Sequence, residues 1–439
     1  MLLDWPWYTT LSVIFGSVIF LTFLGLPVFV VFLLINVVGI VFLLGPSAFG
    51  MFSNSLVATL TSESFIAVPL FLFMGEMLSR SRAVDELYEA FDSILGQTRI
   101  RLYALCNLVA TAVGTVSGSA MADAAMLGRS IYPGMIERGY DKKMSTGLIL
   151  AGATIAPIIP PSILTVVLAT IANESIGELL IAGILPGLLL AGLYLLYCYI
   201  RVLINPKLAP PMDTSIHRTW RDRVHGLLRM FPFVFVMFVV IGLILLGVAS
   251  PTESAALGVA ATVLMAFWLR SFSFKMLWTS ATGAAKISGS VFVIIMSANL
   301  FGQLLSFTGA TEQMVSIVEG WDVAPWMIFV ILMGITLLAG MFLGATEWML
   351  ISVPVFSPII DAVGFDPIWF WTLYLINIVT GGMTPPFGMT MFVFKAAVPG
   401  SNIIDIYNST WPFVAVIFLG IAIMAVFPDI VTILPQLMR

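Results

Sequence analysis

Ten stretches of this chain are apolar and long enough to cross a lipid bilayer, and nothing else constrains its fold as much. They begin near Leu11, Pro27, Phe65, Gly147, Gly177, Met230, Ser254, Ile287, Ile368 and Trp411. A crossing takes about 20 apolar residues, and a helix satisfies its own backbone hydrogen bonds inside lipid. The chain is 60% hydrophobic and 10% charged, where soluble chains carry roughly 25% charged residues. Too few polar residues exist to cover a water-facing exterior. That excludes a soluble enzyme. It also excludes a nucleic-acid binder, since the net charge is −4 and no basic block is present. Cys106 and Cys198 lie in apolar surroundings and imply no disulfide framework. His217 and His225 fall in the most polar stretch without metal-ligand spacing. The first apolar run, Leu11 to Val30, lacks a basic flank and a cleavage site and reads as a retained span. The fold class is all-α and polytopic.

Two further apolar stretches, about 102–135 and 325–360, exceed one crossing and are interrupted halfway by small and polar residues. They read as re-entrant hairpins, each entering and leaving by one side. The basic residues test this. With the N-terminus outside and the hairpins not crossing, only Arg439 of the 19 Lys and Arg falls outside, as the positive-inside rule requires. Both termini then lie outside. Val84, Leu87, Tyr88, Phe91, Ile94 and Leu95 follow helical spacing opposite Asp85, Glu86, Glu89 and Asp92, which predicts an amphipathic helix at the interface. A counterpart is expected near Gln313–Val318. Residues 205–229, rich in Pro and Arg, read as a solvated connector on the inner side.

The chain repeats itself at about half its length. Pro27 pairs with Pro251 at an offset of 224 and Gly118 with Gly344 at 226. Pro133 and Pro358, Asp141 and Asp366, and Pro160-Pro161 and Pro385-Pro386 all pair at 225. The first unit (1–204) holds scaffold spans over about 11–45, the hairpin at 102–135, a span broken within about 146–172, and a connecting span. The second (230–439) holds the hairpin at 325–360, a span broken within about 368–397, and a final span. An odd number of crossings precedes the second copy, so it is inverted. Inverted repeats with discontinuous helices mark secondary transporters. The two hairpin tips can then meet near the midplane.

At the first tip Ser117, Gly118 and Ser119 interrupt a run of small residues, and the facing break runs Thr154-Ile155-Ala156-Pro157-Ile158-Ile159-Pro160-Pro161-Ser162. At the second, Gly344-Ala345-Thr346-Glu347 faces Thr380-Gly381-Gly382-Met383-Thr384-Pro385-Pro386. Prolines end helices by removing a donor and clashing one turn back. Small residues alone would serve close helix packing, and a kinked span needs no function. Two equivalent breaks, each facing a Gly/Ser/Thr tip, go beyond that. Hydroxyls and freed carbonyls are hard oxygen ligands suited to Na⁺, and half-helix N-termini favour an anionic substrate group. Candidate Na⁺ ligands are Ser117, Gly118, Ser119, Thr154, Pro157, Pro160, Gly344, Thr346, Gly381 and Thr384; candidate substrate contacts are Asp123, Ser162, Met383 and Pro385. Asp123 has two structural alternatives, a helix cap or a pair with Arg129, and Glu347 reads as an N-terminal cap. Neither carboxylate has a His, Lys or second acid beside it for a proton relay, which favours Na⁺ as coupling ion.

The stretch GTVSGSAMADAAMLGRSIYPGMIERGYDKKMSTGLILAGATIAPIIPPS (Gly114 to Ser162) resembles the signature of the large membrane subunit of tripartite ATP-independent periplasmic (TRAP) transporters. Gly344 to Glu347 and the Gly381–Gly388 run do so too, and the likeness covers almost the whole chain. The resemblance implies an elevator-type carrier of the ion-transporter superfamily in a bacterial inner membrane, with Na⁺ sites where each tip meets its break. It also implies a small four-helix Q-type membrane subunit as partner, not fused at the N-terminus here, and a periplasmic binding protein that delivers an organic acid. The nearest alternative is a stand-alone Na⁺–anion symporter of the same superfamily. An intramembrane enzyme is disfavoured, because no HExxH, Gly-x-Ser-x-Gly or paired intramembrane aspartates occur. A channel would show repeated pore-lining polarity instead of two opposed dead-end hairpins.

Overall fold

The computed structural model describes residues 6–45, 49–62, 64–96, 98–211, 219–321 and 323–438. His217, Arg218 and Arg439 lie outside the described residues, as does the side chain of Ser117. The first half opens with α1 (Trp7–Phe23), α2 (Val28–Gly39, ending in a π turn at Ile40–Leu44), α3 (Phe49–Leu60), α4 (Ser64–Arg80) and α5 (Ala83–Ile94). The first hairpin is α6 (Arg101–Ser117), α7 (Ala120–Ser130) and α8 (Tyr132–Glu137), followed by the broken span α9 (Lys142–Ile155) and α10 (Ile163–Ala172). The connecting span is α11 (Ile176–Ala182) and α12 (Ile184–Ile204).

The second half repeats this order. It begins with α13 (Trp220–Met237), which runs through a π turn into α14 (Leu243–Leu245), then α15 (Pro251–Trp268), α16 (Phe274–Phe307) and α17 (Ala310–Glu319). Its hairpin is α18 (Pro325–Phe342) and α19 (Ala345–Val363), and its broken span α20 (Pro367–Gly381) and α21 (Met389–Ala397). It closes with α22 (Ile403–Val426) and α23 (Asp429–Gln436). Among the described residues six helices are long and apolar enough to cross a membrane singly, and the α3–α4 pair, bent by 48°, makes a seventh. Two of the six are the arms α18 and α19, which fold back on each other: Trp348 Nε1 donates to Thr336 Oγ1 at 3.4 Å from one arm to the other.

The repeat is visible in the caps. Asp141 accepts the Met144 amide at 2.8 Å at the start of α9, and Asp366 accepts the Trp369 amide at 2.8 Å at the start of α20. A carboxylate here satisfies an orphan donor and complements the helix dipole. The double-proline bonds Pro160–Pro161 and Pro385–Pro386 are both cis. One pairing changes: Ser119 caps α7 and Gly344 caps α19, so Gly344 matches Ser119, at the common offset of 225, rather than Gly118.

Three expectations need correction. The helix α3 was unforeseen, because Phe49–Leu60 mixes Ser, Asn, Thr and Gly with its apolar residues. With α4 it matches the 34-residue helix α16, which therefore begins well before Ile287. Of the connector expected over 205–229, the described residues 205–211 are strapped to the hairpin foot and those from Trp220 are helical. The Leu208 carbonyl accepts from the Asp141 amide at 3.1 Å and the Tyr103 hydroxyl at 2.6 Å, and Arg99 donates to the Pro206 carbonyl at 3.0 Å. Backbone carbonyls freed by the prolines thus find partners at the foot of the first hairpin. From Trp220 the chain is already helical, under a Thr219–Asp222 capping box.

Packing follows from which faces are apolar. The amphipathic α5 lies on α13, where Arg229 pairs with Glu89 and, at 4.0 Å, with Glu86. A Cβ on Gly226 would sit 2.9 Å from the Ala90 carbonyl, so the two helices touch along their backbones. Helices α4, α13, α15 and α16 form one body whose outer face carries Phe231, Leu264, Trp268 and Phe274, all exposed. In lipid that is an ordinary exterior. The centre of the molecule is α9 and α20, buried from Met144 to Ile155 and from Ile368 to Gly381.

Candidate functional site

Each hairpin meets its broken helix at a crossing too close for side chains. A Cβ on Gly114 would lie 2.7 Å from Ala156 Cα, at the end of α9. In the second half a Cβ on Gly340 would lie 2.9 Å from the Ile378 carbonyl oxygen, and one on Gly381 would lie 2.6 Å from the Gly340 carbonyl carbon. At the offset of 225 Ala156 corresponds to Gly381, while Gly340 lies one residue beyond the counterpart of Gly114, so the two crossings are similar in kind and one residue out of register. Small residues are used here because they let backbone reach backbone.

The first tip turns at Gly118, whose φ of +60° is left-handed, a conformation glycine adopts without a Cβ penalty. A Cβ there would sit 3.5 Å from the Ile163 amide, the first residue of α10. Ser119 then caps α7, accepting the Ala122 amide at 3.4 Å. Gly118 and Ser119 therefore stand against the exit of the first break. Asp123, one turn into α7, is 1% exposed, and its Oδ2 would lie 3.1 Å from a Cβ on Gly114. It points between the arms at the crossing with Ala156. Arg129 is exposed on the same helix.

Within the first break, Ser162 and Thr165 hydroxyls both donate to the Pro157 carbonyl, the second at 3.1 Å. Ser162 also accepts the Thr165 amide at 3.2 Å. Pro157 and Ser162 are thus engaged with each other across the break. Thr154 donates to Ala151 O at 2.7 Å and lies 3.4 Å from the Tyr194 hydroxyl. Pro160 is buried.

The second tip turns through extended Leu343 and Gly344. The Glu347 carboxylate curls back over Gly344, occupying the space a Cβ would need. It stands over the first turn of α19 without a side-chain cap hydrogen bond. Thr346 is half-buried beside it. In the facing break Thr384 is fully buried and donates to Thr380 O at 2.7 Å, while Thr380 donates to Ile376 O at 2.6 Å. Met383 and Pro385 are buried, but Pro386 and Phe387 are exposed. Phe387 stacks obliquely on Phe342 with centroids 5.1 Å apart, and the Tyr407 hydroxyl holds the Pro386 carbonyl at 2.6 Å. Phe342, Phe387 and Tyr407 were not singled out in the sequence; their only signal was proximity to a tip or break already recognised.

The two halves interlock. Helix α7 of the first hairpin packs on α21, where the Phe394 ring would be 3.2 Å from a Cβ on Gly128 and Tyr132 meets Phe394 edge-on. Helix α19 of the second hairpin packs on α10. Each returning arm thus rests on the other repeat's broken helix, and both tip–break junctions belong to one body. Such an arrangement of buried hydroxyls, freed carbonyls and half-helix ends suits a carrier's ion and substrate sites.

A family model described as the tripartite ATP-independent periplasmic transporter, DctM component, matches residues 15–430. The chain belongs to this family. It is the large membrane subunit of a TRAP transporter and a multi-pass membrane protein. A large permease for ectoine from Halomonas elongata is 28% identical over 97% of this chain and 99% of its own length. A C4-dicarboxylate large permease from Pseudomonas aeruginosa is 28% identical over 86% of this chain and 87% of its own. Among solved structures, the YdaH transporter of Alcanivorax borkumensis superposes with a TM-score of 0.64 at 14% identity, over 89% of this chain and 91% of that one. That likeness concerns the fold alone.

Proposed function

We propose that this TRAP subunit carries an organic acid inward across a bacterial inner membrane, driven by Na⁺, after a periplasmic binding protein delivers it. The observation that carries the reading is the pair of equivalent tip–break junctions in one interlocked body. Both are lined by hydroxyls and carbonyls, and among the described residues no cluster of three His, Cys, Asp or Glu is present. One Na⁺ sits by Gly118, Ser119 and the Thr154–Pro160 break, a second by Gly344, Thr346, Gly381 and Thr384. The substrate lies between them, against Met383, Pro385 and the exposed Pro386–Phe387 edge. A carboxylate is favoured because half-helix N-termini point at the gap, and because both relatives above are named for carboxylate compounds. The hairpin body travels as an elevator past a scaffold of α1, α2, α13 and α15, with α4 and α16 packed on it; both chain termini are periplasmic, and the small Q-type subunit docks on the scaffold.

Reconstitution tests this. The chain, its small subunit and its binding protein are placed in proteoliposomes, and uptake of the binding protein's own ligand is followed under an inward Na⁺ gradient. Uptake that needs both the gradient and the binding protein is the expected result. Uptake at full rate without the binding protein would make the chain a stand-alone symporter, and uptake indifferent to Na⁺ would remove the coupling ion.

A further inference from the structure

Arg129 joins two cavities that the ion and substrate sites above leave unused. The first, of about 420 Å³, is a groove along α7 lined by Ala122, Ala125, Met126, Arg129 and Ser130. These positions recur at helical spacing on one face, the two alanines making the hollow. The groove starts three residues beyond Ser119 at the tip, and Arg129 is the only charged group among its described lining residues. The second cavity, of about 880 Å³, lies at the foot of the hairpin, bounded by α7, α8, the start of α9 and the turn between α21 and α22. Arg129 lines it too, with Lys142 and Lys143. Glu137, Asp141 and Asp405 face the two lysines there, Asp141 also accepting the Met144 amide. Arg129 makes no ion pair among the described residues. Thr146, 5% exposed, also faces this basin.

We propose that Arg129 is the carboxylate-receiving residue of the route by which the substrate leaves the tip for the basic face of the protein. The proposal rests on the carrier reading and on that face being cytoplasmic. A lone cation at the end of an apolar groove focuses its field along the groove, and a guanidinium binds a carboxylate through two parallel hydrogen bonds. Exposure to water keeps the pairing weak enough to release. Beyond Arg129 the basin sets two lysines against three carboxylates and offers an anion no net attraction, so the selective point is the junction where Arg129 sits.

Charge-selective thiol labelling of the full chain in phosphatidylcholine nanodiscs tests the assignment. Cys106 and Cys198 are buried, so Ala125→Cys supplies the reporter. The probes are an anionic sulfonatoethyl methanethiosulfonate and its cationic trimethylammonium analogue, each corrected for its rate with a free thiol. The anionic reagent should be favoured by about fivefold, from one nearby charge acting with opposite sign on the two probes. Arg129→Gln should bring the ratio to near unity, Arg129→Lys should keep most of it, and Lys142→Gln should leave it almost unchanged. A ratio near unity in the parent, or one that Arg129→Gln does not alter, overturns the proposal. So does labelling abolished by adding phosphatidylglycerol to the discs, which would make the groove a lipid headgroup site. Labelling requires neither the binding protein nor turnover, so its failure is distinct from failure of uptake.

Discussion

Thr384 and Ser119 stand at equivalent junctions but are held differently. Ser119 spends its oxygen on a helix cap, weakly at 3.4 Å, whereas Thr384 donates to Thr380 O at 2.7 Å and keeps its lone pairs. Thr384→Val preserves volume and removes the oxygen. It should abolish Na⁺-driven uptake while the protein remains monodisperse in detergent, and a bulky residue at Ser119 should do the same; uptake with unchanged Na⁺ dependence in both variants would remove the sites. The glycine crossings make a separate, purely steric prediction. Gly114→Ala and Gly340→Ala place a methyl against backbone that cannot rotate away, and should each destabilise the protein by about 1–3 kcal/mol. Gly334→Ala, on the same helix as Gly340 with nothing within 4 Å, should have no effect. Thermal unfolding of the three variants compares them directly. Glycines at a tip were legible in the sequence as turn formers. Which glycine touches which backbone was not, because that depends on helix rotation in three dimensions.

At the scale of elements, the broken helices, both hairpins and the amphipathic α5 and α17 were legible. Proline pairs, small-residue tips and 3.6-residue periodicity each have a local physical cause. The equivalence of Asp141 and Asp366 was legible as an interval and acquires its reason in the structure, since both are N-caps. The helix α3 and the strap at 206–211 were hidden: one is too polar to register as a span, the other is held by hydrogen bonds to distant residues. Where the α10–α11 turn meets the α19–α20 turn, acids gather. Burial, then Asp361, Asp366 and Glu178, raises the Glu174 carboxyl above its ordinary value of 4.5. The folded state therefore binds this proton more tightly than the unfolded chain, and ionised Glu174 weakens the fold at neutral pH. Stability from this group is regained as pH falls through the raised value. Glu174→Gln should give a small increase in melting temperature at pH 7.5, because the site is partly solvated, and the increase should vanish below about pH 4.5. An increase that persists at low pH would point to packing instead of charge.

For the molecule as a whole, the inverted repeat was legible and the exchange between its halves was not. Offsets near 225 show two copies, but only the packing of α7 on α21 and α19 on α10 shows that each copy completes the other. That exchange unites the hairpins and broken helices in one body, which the proposed elevator moves against the scaffold. Gly302 of α16 and Pro354 of α19 face each other across the boundary, a Cβ on Gly302 falling 3.3 Å from Pro354 Cβ, within reach of a disulfide. The decisive measurement is cross-linking of a Gly302→Cys, Pro354→Cys double variant while Na⁺ and substrate are varied. The account predicts that oxidation arrests transport, that reduction restores it, and that the cross-linking yield changes with Na⁺ and substrate as the body leaves this register. Full cross-linking under every condition with transport undiminished would contradict it.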